Sequence, residues 1–547
     1  MSFSRRNFIQ SLGVSAAGLS VSGYAIAAQN DTEESDEQLL RVGDEIAVAA
    51  TQYGKVRGYE MGGIKTFLGI PYGADTSGKN RFMPPQKPEA WSEVRPTLWW
   101  GNAAPQIIDN RYANVYASFI DQWNYDDISE DCLKINVWTP ATDTKKRPVL
   151  VWLHGGGYTN GNAIEQDGYH GENIARLGDM VFCSINHRLG PIGYSDFKAA
   201  GGSAASGNVG NLDMVAALEW IRDNIQNFGG DASNVTIMGQ SAGGSKVTTL
   251  MNMPSAKGLF HKAVVLSGGS LEGQNKEYAK KLGLQILKEA GLKVGDIDKL
   301  QALSWREYLD IANKATEAMK PEAERLNLSR GGFGPVGDGA FLNDGTFFEN
   351  GGHFSAKIPL MMCSTFNEFS PSRLDSSLET ISLDEVKEKI ESRFGDKSGA
   401  IVDAYAKNFP QAKPVELWSM IYSNRQRAVS IADAKSTQSN TPVYLAWYGW
   451  QPPLFDDRMR AFHNNDICFW FYNTDRMITH TGGGTRPRAL SEKMAKSLIN
   501  FTQKGDPNGG GLPTWAPYSK ENGETMILDD EPQLSNDPDR EARKSLA

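Results

Sequence analysis

Along most of its length the chain alternates short apolar runs with stretches that repeat apolar residues every three or four positions. Val149-Leu150-Val151-Trp152-Leu153, Met180 to Ile185, Val235 to Met238 and Ala263 to Leu266 each end in glycine or polar turn residues. Such uninterrupted runs predict strands covered on both faces, as in a parallel sheet under helices. Between them, Met214, Leu218, Ile221, Ile225 and Phe228 fall on one face of a helix that Gly229-Gly230 should stop. Two later strands are expected at Pro359 to Phe366 and Val443 to Tyr448, and a late helix from Ser491, as its cap, to Phe501. No internal repeat or proline-rich linker interrupts this order. The pattern therefore predicts one α/β domain over residues 45–547, with insertions around 105–130, 270–330 and 370–440.

Composition narrows the class without changing the fold. The chain has 547 residues, 40% of them hydrophobic, which suits a soluble globular protein large enough to bury a core without disulfides or structural metal. Lys and Arg number 56 against 65 Asp and Glu, a net charge of −9, which sets aside nucleic acid and anionic membranes as partners. The four cysteines, Cys132, Cys183, Cys363 and Cys468, are scattered, with no Cys-x-x-Cys pair and no zinc spacing. No metal, no cofactor and no obligatory disulfide is expected. Glycine, at 56 residues, and tryptophan, at 13, are in excess, which raises the question of turns and aromatic-lined cavities.

The first 27 residues read as an address. Ser4-Arg5-Arg6-Asn7-Phe8-Ile9-Gln10 precedes a mildly apolar stretch from Ser11 to Ser22, and Ala25-Ile26-Ala27 suits a signal peptidase. The segment resembles a twin-arginine export signal, whose partner is the twin-arginine export machinery. Residues 28–44 form a polar acidic arm. The apolar stretch falls short of the ~18 residues that span a bilayer, and no cysteine for a lipid precedes Cys132. No stable membrane anchor is expected, and the mature chain is expected in the periplasm or outside the cell.

The chemistry centres on Gly239-Gln240-Ser241-Ala242-Gly243-Gly244, which follows one predicted strand and opens a helix. Small neighbours let the backbone turn sharply, so that a serine hydroxyl projects above the sheet as a nucleophile. Earlier in the chain, His154-Gly155-Gly156-Gly157 follows another strand, where consecutive glycines would present backbone N–H groups to an oxyanion. A phosphate loop fails because no Gly-Lys-Ser/Thr follows. With the N–H of Ala242, these glycines could hold the oxyanion of a tetrahedral intermediate. In this fold class the acid and then the histidine follow the serine. Of seven histidines only His463 and His480 come late enough, and His463, just before the run Phe469-Trp470-Phe471-Tyr472, is favoured over His480 in its polar setting. Glu368, closing a strand, leads as the acid; its rival Asp338, in Gly337-Asp338-Gly339, looks more like a turn former.

These residues carry a resemblance to the type-B carboxylesterases, the α/β-hydrolase family that contains para-nitrobenzyl esterases, animal carboxylesterases, cholinesterases and the non-catalytic neuroligins. It rests on Phe67-Leu68-Gly69-Ile70-Pro71-Tyr72, Arg81-Phe82 with Pro84-Pro85, Ser129-Glu130-Asp131-Cys132-Leu133, Asn186-His187-Arg188-Leu189-Gly190, Phe228-Gly229-Gly230-Asp231 and the two glycine turns. It implies an α/β-hydrolase fold, a triad of Ser241, Glu368 and His463, oxyanion donors at Gly156, Gly157 and Ala242, and ion pairs of Arg81 with Glu130 and Arg188 with Asp213. The chain departs from the family in three places. No cysteine precedes Cys132 to bridge it, Phe369 stands where glycine commonly follows the acid, and Gln240 replaces the glutamate that cholinesterases carry beside the serine. Trp123 lies near where cholinesterases place the tryptophan that contacts choline, but with a spacing shorter by one; it reads as a gorge-lining aromatic rather than a choline contact, and Trp123 and Gln240 are the candidate substrate contacts. A retained triad argues for an enzyme over a neuroligin-like binding protein. The expected substrate is a small-molecule carboxylic ester, with amides, carbamates or thioesters as the alternative.

Overall fold

The computed structural model describes residues 38–108, 119–120, 127–328, 332–349 and 354–546. The twin arginines, the acidic arm up to residue 37 and Trp123 lie outside the described residues. Leu39–Ala547 forms one compact unit.

Its centre is a sheet of twelve strands. Eight of them are β1 (Lys134–Thr139), β2 (Arg147–Leu153), β3 (Val181–Ile185), β4 (Gly230–Gln240), β5 (Lys262–Leu266), β6 (Leu360–Thr365), β7 (Val443–Tyr448) and β8 (Glu524–Leu528). Their order across the sheet is β1, β3, β2, β4, β5, β6, β7, β8, and from β3 to β8 every neighbour is parallel. Beyond β1, Ile64–Pro71, Tyr59–Met61 and Leu40–Arg41 continue antiparallel, and Gln533–Asn536 closes the other edge. A separate small sheet joins Val48–Thr51, Gly54–Arg57 and Arg95–Pro96.

The apolar runs are continuous because both faces of the sheet are covered. In β2, Val149, Val151 and Leu153 join one core with Met214, Leu218 and Ile221 of helix α1 (Val209–Asn224), and with Val247 and Leu250 of helix α2 (Ala242–Leu250). Leu150 and Trp152 join the opposite core with Met494, Leu498 and Phe501 of helix α3 (Thr485–Lys504). Each large side chain so buried contributes roughly 1.5–3 kcal/mol. Six tryptophans, Trp138, Trp152, Trp447, Trp450, Trp470 and Trp515, are fully buried, so much of the tryptophan excess fills the core.

Two local expectations change. The α-helix ends at Asn224, and Ile225–Phe228 form one tighter turn before Gly229, at φ 76°, reverses the chain; Gly230 already belongs to β4. Helix α3 begins six residues before Ser491, behind Gly484, and Ser491 is not its cap. It is buried in mid-helix and donates its hydroxyl to the carbonyl of Phe469 at 3.0 Å. Residues between β5 and β6, and between β6 and β7, form helical insertions with their own cores, the first around Tyr278, Leu282 and Tyr308, the second around Val386, Ile390 and Val402.

Two buried ion pairs tie the loops to this frame. Arg81 meets Glu130 through two bonds of 2.6 Å, and Arg188 meets Asp213 at 2.8 and 2.6 Å. Both are forked pairs, the geometry that lets a guanidinium balance its own desolvation. Within each pair the charged atoms are paired with each other. Among the described residues no helix is long and apolar enough to cross a membrane.

Candidate active site

Strand β4 runs into α2 through a single residue, Ser241. Its backbone sits at φ 57° and ψ −125°, a conformation sparsely populated by any residue with a Cβ and worth about 1–3 kcal/mol of strain. The surroundings hold it there. The Ser241 N–H donates to the carbonyl of Leu266 at 2.8 Å, anchoring the turn to β5. The small neighbours are required by contact: a Cβ on Gly243 would lie 2.0 Å from the carbonyl oxygen of Leu153, and one on Gly268 would lie 2.0 Å from that of Ser241.

The loop after β2 lies directly against this turn, since a Cβ on Gly155 would stand 3.3 Å from Cβ of Ser241. Gly156 and Gly157 have φ of 86° and 66°, the region that favours glycine. The carbonyl of Gly156 accepts from the N–H groups of Thr159 and Asn160 at 3.0 and 2.9 Å, which fixes the loop. Among the described residues the N–H groups of Gly156 and Gly157 are given to no acceptor, and Gly156 is exposed. The N–H of Ala242, first in its helix, has no partner within the helix either.

Glu368 follows β6 and is buried, with a side-chain exposure of 1%. Its Oε2 accepts from Nδ1 of His463, its Oε1 accepts from the N–H of Thr365 at 3.3 Å, and its carbonyl accepts from the N–H of His463 at 2.8 Å. With Nδ1–H engaged by the carboxylate, the lone pair of the imidazole is left on Nε2. The loop carrying His463 is joined to the serine turn by Gln240, whose Nε2 donates to the carbonyl of His463 at 2.7 Å. Phe369 stacks on the imidazole with ring centres 5.0 Å apart and stays 63% exposed.

The structure thus brings Ser241, Ala242, Gly156 and Gly157 together at the C-terminal ends of β2 and β4, and joins Glu368 to His463. Gln240, expected at the substrate, is buried with its amide committed to His463. It ends β4 on the side of the histidine loop, and that carbonyl needs a donor. Asp338 accepts the N–H groups of Ala340, Phe341 and Leu342 at 2.9, 2.8 and 3.2 Å, the work of a turn former. His480 is buried edge-on against Phe462.

Two buried groups beside the site escaped the sequence reading. Asp466, three residues after His463, accepts from the indole N–H of Trp470 at 3.2 Å, and burial, reinforced by the charge of Glu368, pushes its carboxyl up to about 7. Lys246, on α2, is wholly enclosed, and burial lowers its ammonium to about 7. A lysine among small and apolar helix neighbours was the available signal for the second; for the first, only its nearness in sequence to His463.

A largely parallel sheet under helices, with a serine on a strained strand-to-helix turn and a glycine loop pressed against it, defines an α/β-hydrolase. The profile of the Carboxylesterase family matches residues 45–545, and the chain belongs to that family. It is 33% identical over 508 residues to the para-nitrobenzyl esterase of Bacillus subtilis, covering 91% of this chain and 98% of that one. Among solved structures, an esterase of Clostridium hathewayi, described as able to hydrolyse aliphatic aromatic polyesters, superposes with a TM-score of 0.77 at 31% identity, over 92% of this chain and 98% of that chain. A carboxylesterase of Geobacillus stearothermophilus superposes with a TM-score of 0.75 at 30% identity, over 92% of this chain and all of its own. The protein is a serine hydrolase of carboxylic esters.

Proposed function

We propose that Ser241, His463 and Glu368 act as nucleophile, general base and orienting acid, with Gly156, Gly157 and Ala242 as oxyanion donors. The observation that carries this reading is the continuity of the site: Glu368 fixes His463, and Gln240 fastens the loop of His463 next to the strained Ser241. Nε2 of His463 takes the proton of the Ser241 hydroxyl as its oxygen attacks the ester carbonyl. The oxyanion is received by the N–H groups, the alcohol leaves with the proton from His463, and water then repeats the sequence to release the acid. Each oxyanion donor is worth roughly 2.7–4 kcal/mol of barrier in comparable sites. Replacing Ser241→Ala should abolish hydrolysis of p-nitrophenyl acetate and covalent labelling by a fluorophosphonate while leaving the circular dichroism unchanged. Continued turnover would reject the assignment.

Small carboxylic esters are the proposed substrates, and Trp123 a proposed substrate contact. The resemblance of Ser4 to Ala27 to a twin-arginine signal supports export to the periplasm or beyond. Changing Arg5-Arg6 to a lysine pair should leave uncleaved precursor in the cytoplasm, and normal export would remove this proposal.

A further inference from the structure

Lys246 has no part in the chemistry above, yet it occupies the most expensive position available to a lysine, fully enclosed five residues after Ser241. Side chains on a helix lean toward its N-terminus. That of Lys246 accordingly reaches back beneath the glycine loop, and its Nζ donates to the carbonyl of His154 at 2.8 Å and to that of Gly155 at 3.4 Å. Gly243, one turn earlier on the same face, has no side chain, which is what lets the loop come this close. Nδ1 of His154 donates to the same Gly155 carbonyl at 3.1 Å.

A carbonyl and the N–H that follows it belong to one planar trans peptide and point in opposite directions. Turning the Gly155 carbonyl down onto Lys246 therefore turns the Gly156 N–H up, and donation to the carbonyl strengthens the N–H as a donor. We propose that Lys246 is a positioning residue of the oxyanion loop, which holds the Gly155–Gly156 peptide in its working orientation and polarises it with an ammonium charge. This rests on the reading of Gly156 as an oxyanion donor.

The groups facing the ammonium are consistent with a charge that comes and goes near neutrality. His154 and His187, stacked 5.0 Å apart, are both held well below the usual histidine range, chiefly by burial and then by the Lys246 charge, so neither supplies a second cation. The ring of Tyr158 lies 5.7 Å from Nζ, and the carboxylate of Glu165 favours the charged form against a larger effect of burial, which brings the lysine down to about 7.

The test compares wild type, Lys246→Met and Lys246→Gln in p-nitrophenyl acetate hydrolysis at about pH 6 and about pH 9, with circular dichroism and Tm as folding controls. The methionine variant removes charge and donors at nearly constant volume. Its kcat should fall about ten- to a hundredfold at the lower pH, less than loss of a whole donor, with KM within about twofold. The ratio of wild-type to variant kcat should narrow at the higher pH, where the wild-type lysine has lost its proton. The glutamine variant keeps a neutral donor and should fall between the two; if the methionine variant does not fold, the same pH comparison is read on glutamine. A folded variant within twofold of wild-type kcat, a loss confined to KM, or a ratio equal at both pH values would overturn the proposal. Turnover surviving in Ser241→Ala would reject the triad reading itself, whereas an inactive Ser241→Ala beside an unimpaired Lys246→Met rejects only the role of the lysine.

Discussion

Around His463, buried side chains hold the loops of the proposed site in place. Gln240 is adjacent in sequence to Ser241 and hydrogen-bonded to the backbone of His463, so it ties the histidine loop to the serine turn. Truncation by Gln240→Ala leaves a carbonyl short of its donor and the histidine loop free to shift. A displacement of about 1 Å in a catalytic group can cost up to a hundredfold. We expect kcat for p-nitrophenyl acetate to fall about tenfold with KM nearly unchanged; an effect confined to KM would instead restore Gln240 to the substrate pocket. The motif made Gln240 conspicuous, but its direction depends on which loop lies beside the end of β4, and that is a tertiary fact no local pattern contains. Asp466 is hidden for the same reason, because its altered carboxyl follows from burial beside Glu368.

At the scale of elements, legibility tracks burial. All six side chains of β7 are buried, and its observed span, Val443–Tyr448, coincides with the apolar run. Helix α3 is read short at its start because the exposed turn carrying Arg486 breaks the apolar stripe, while Ser491 mimics a cap and is in fact a mid-helix donor. The elbow is the opposite case, legible because its glycines are demanded by backbone contacts. Gly268, outside the motif, belongs to the same construction: its absent Cβ leaves room for the Ser241 carbonyl. Gly268→Ala should displace the elbow, lowering turnover about a hundredfold while costing about 1–3 kcal/mol of stability in a denaturant titration. Wild-type activity in that variant would show that the turn is held by β4 and α2 alone.

For the whole molecule, buried cations set the response to alkali. Burial lowers Lys246 to about 7, and Lys262 and Lys435 each to about 8, against about 10.4 in an unfolded chain. As pH rises from about 7 to about 9 the folded state gives up these protons and the unfolded state keeps them. The unfolded chain then binds more protons, and stability climbs with pH. Above that window the slope reverses, because burial pushes the thiols of Cys132, Cys183, Cys363 and Cys468 up and only the unfolded chain ionises them. The urea midpoint should therefore be higher at about pH 9 than at about pH 7, and Lys435→Met should flatten the difference. A midpoint that falls over this interval would refute the account. Against a total stability of only about 5–15 kcal/mol, the strain held at Ser241 is a sizeable fraction. Ser241→Gly, which accepts the same φ without penalty, should destroy turnover yet leave the protein at least as stable, with Tm equal or about 1 °C higher. With Ser241 as the proposed nucleophile, the strain at the turn is stability given up for hydrolysis, and in a lineage relieved of that demand a single codon change would recover it at the cost of the reaction.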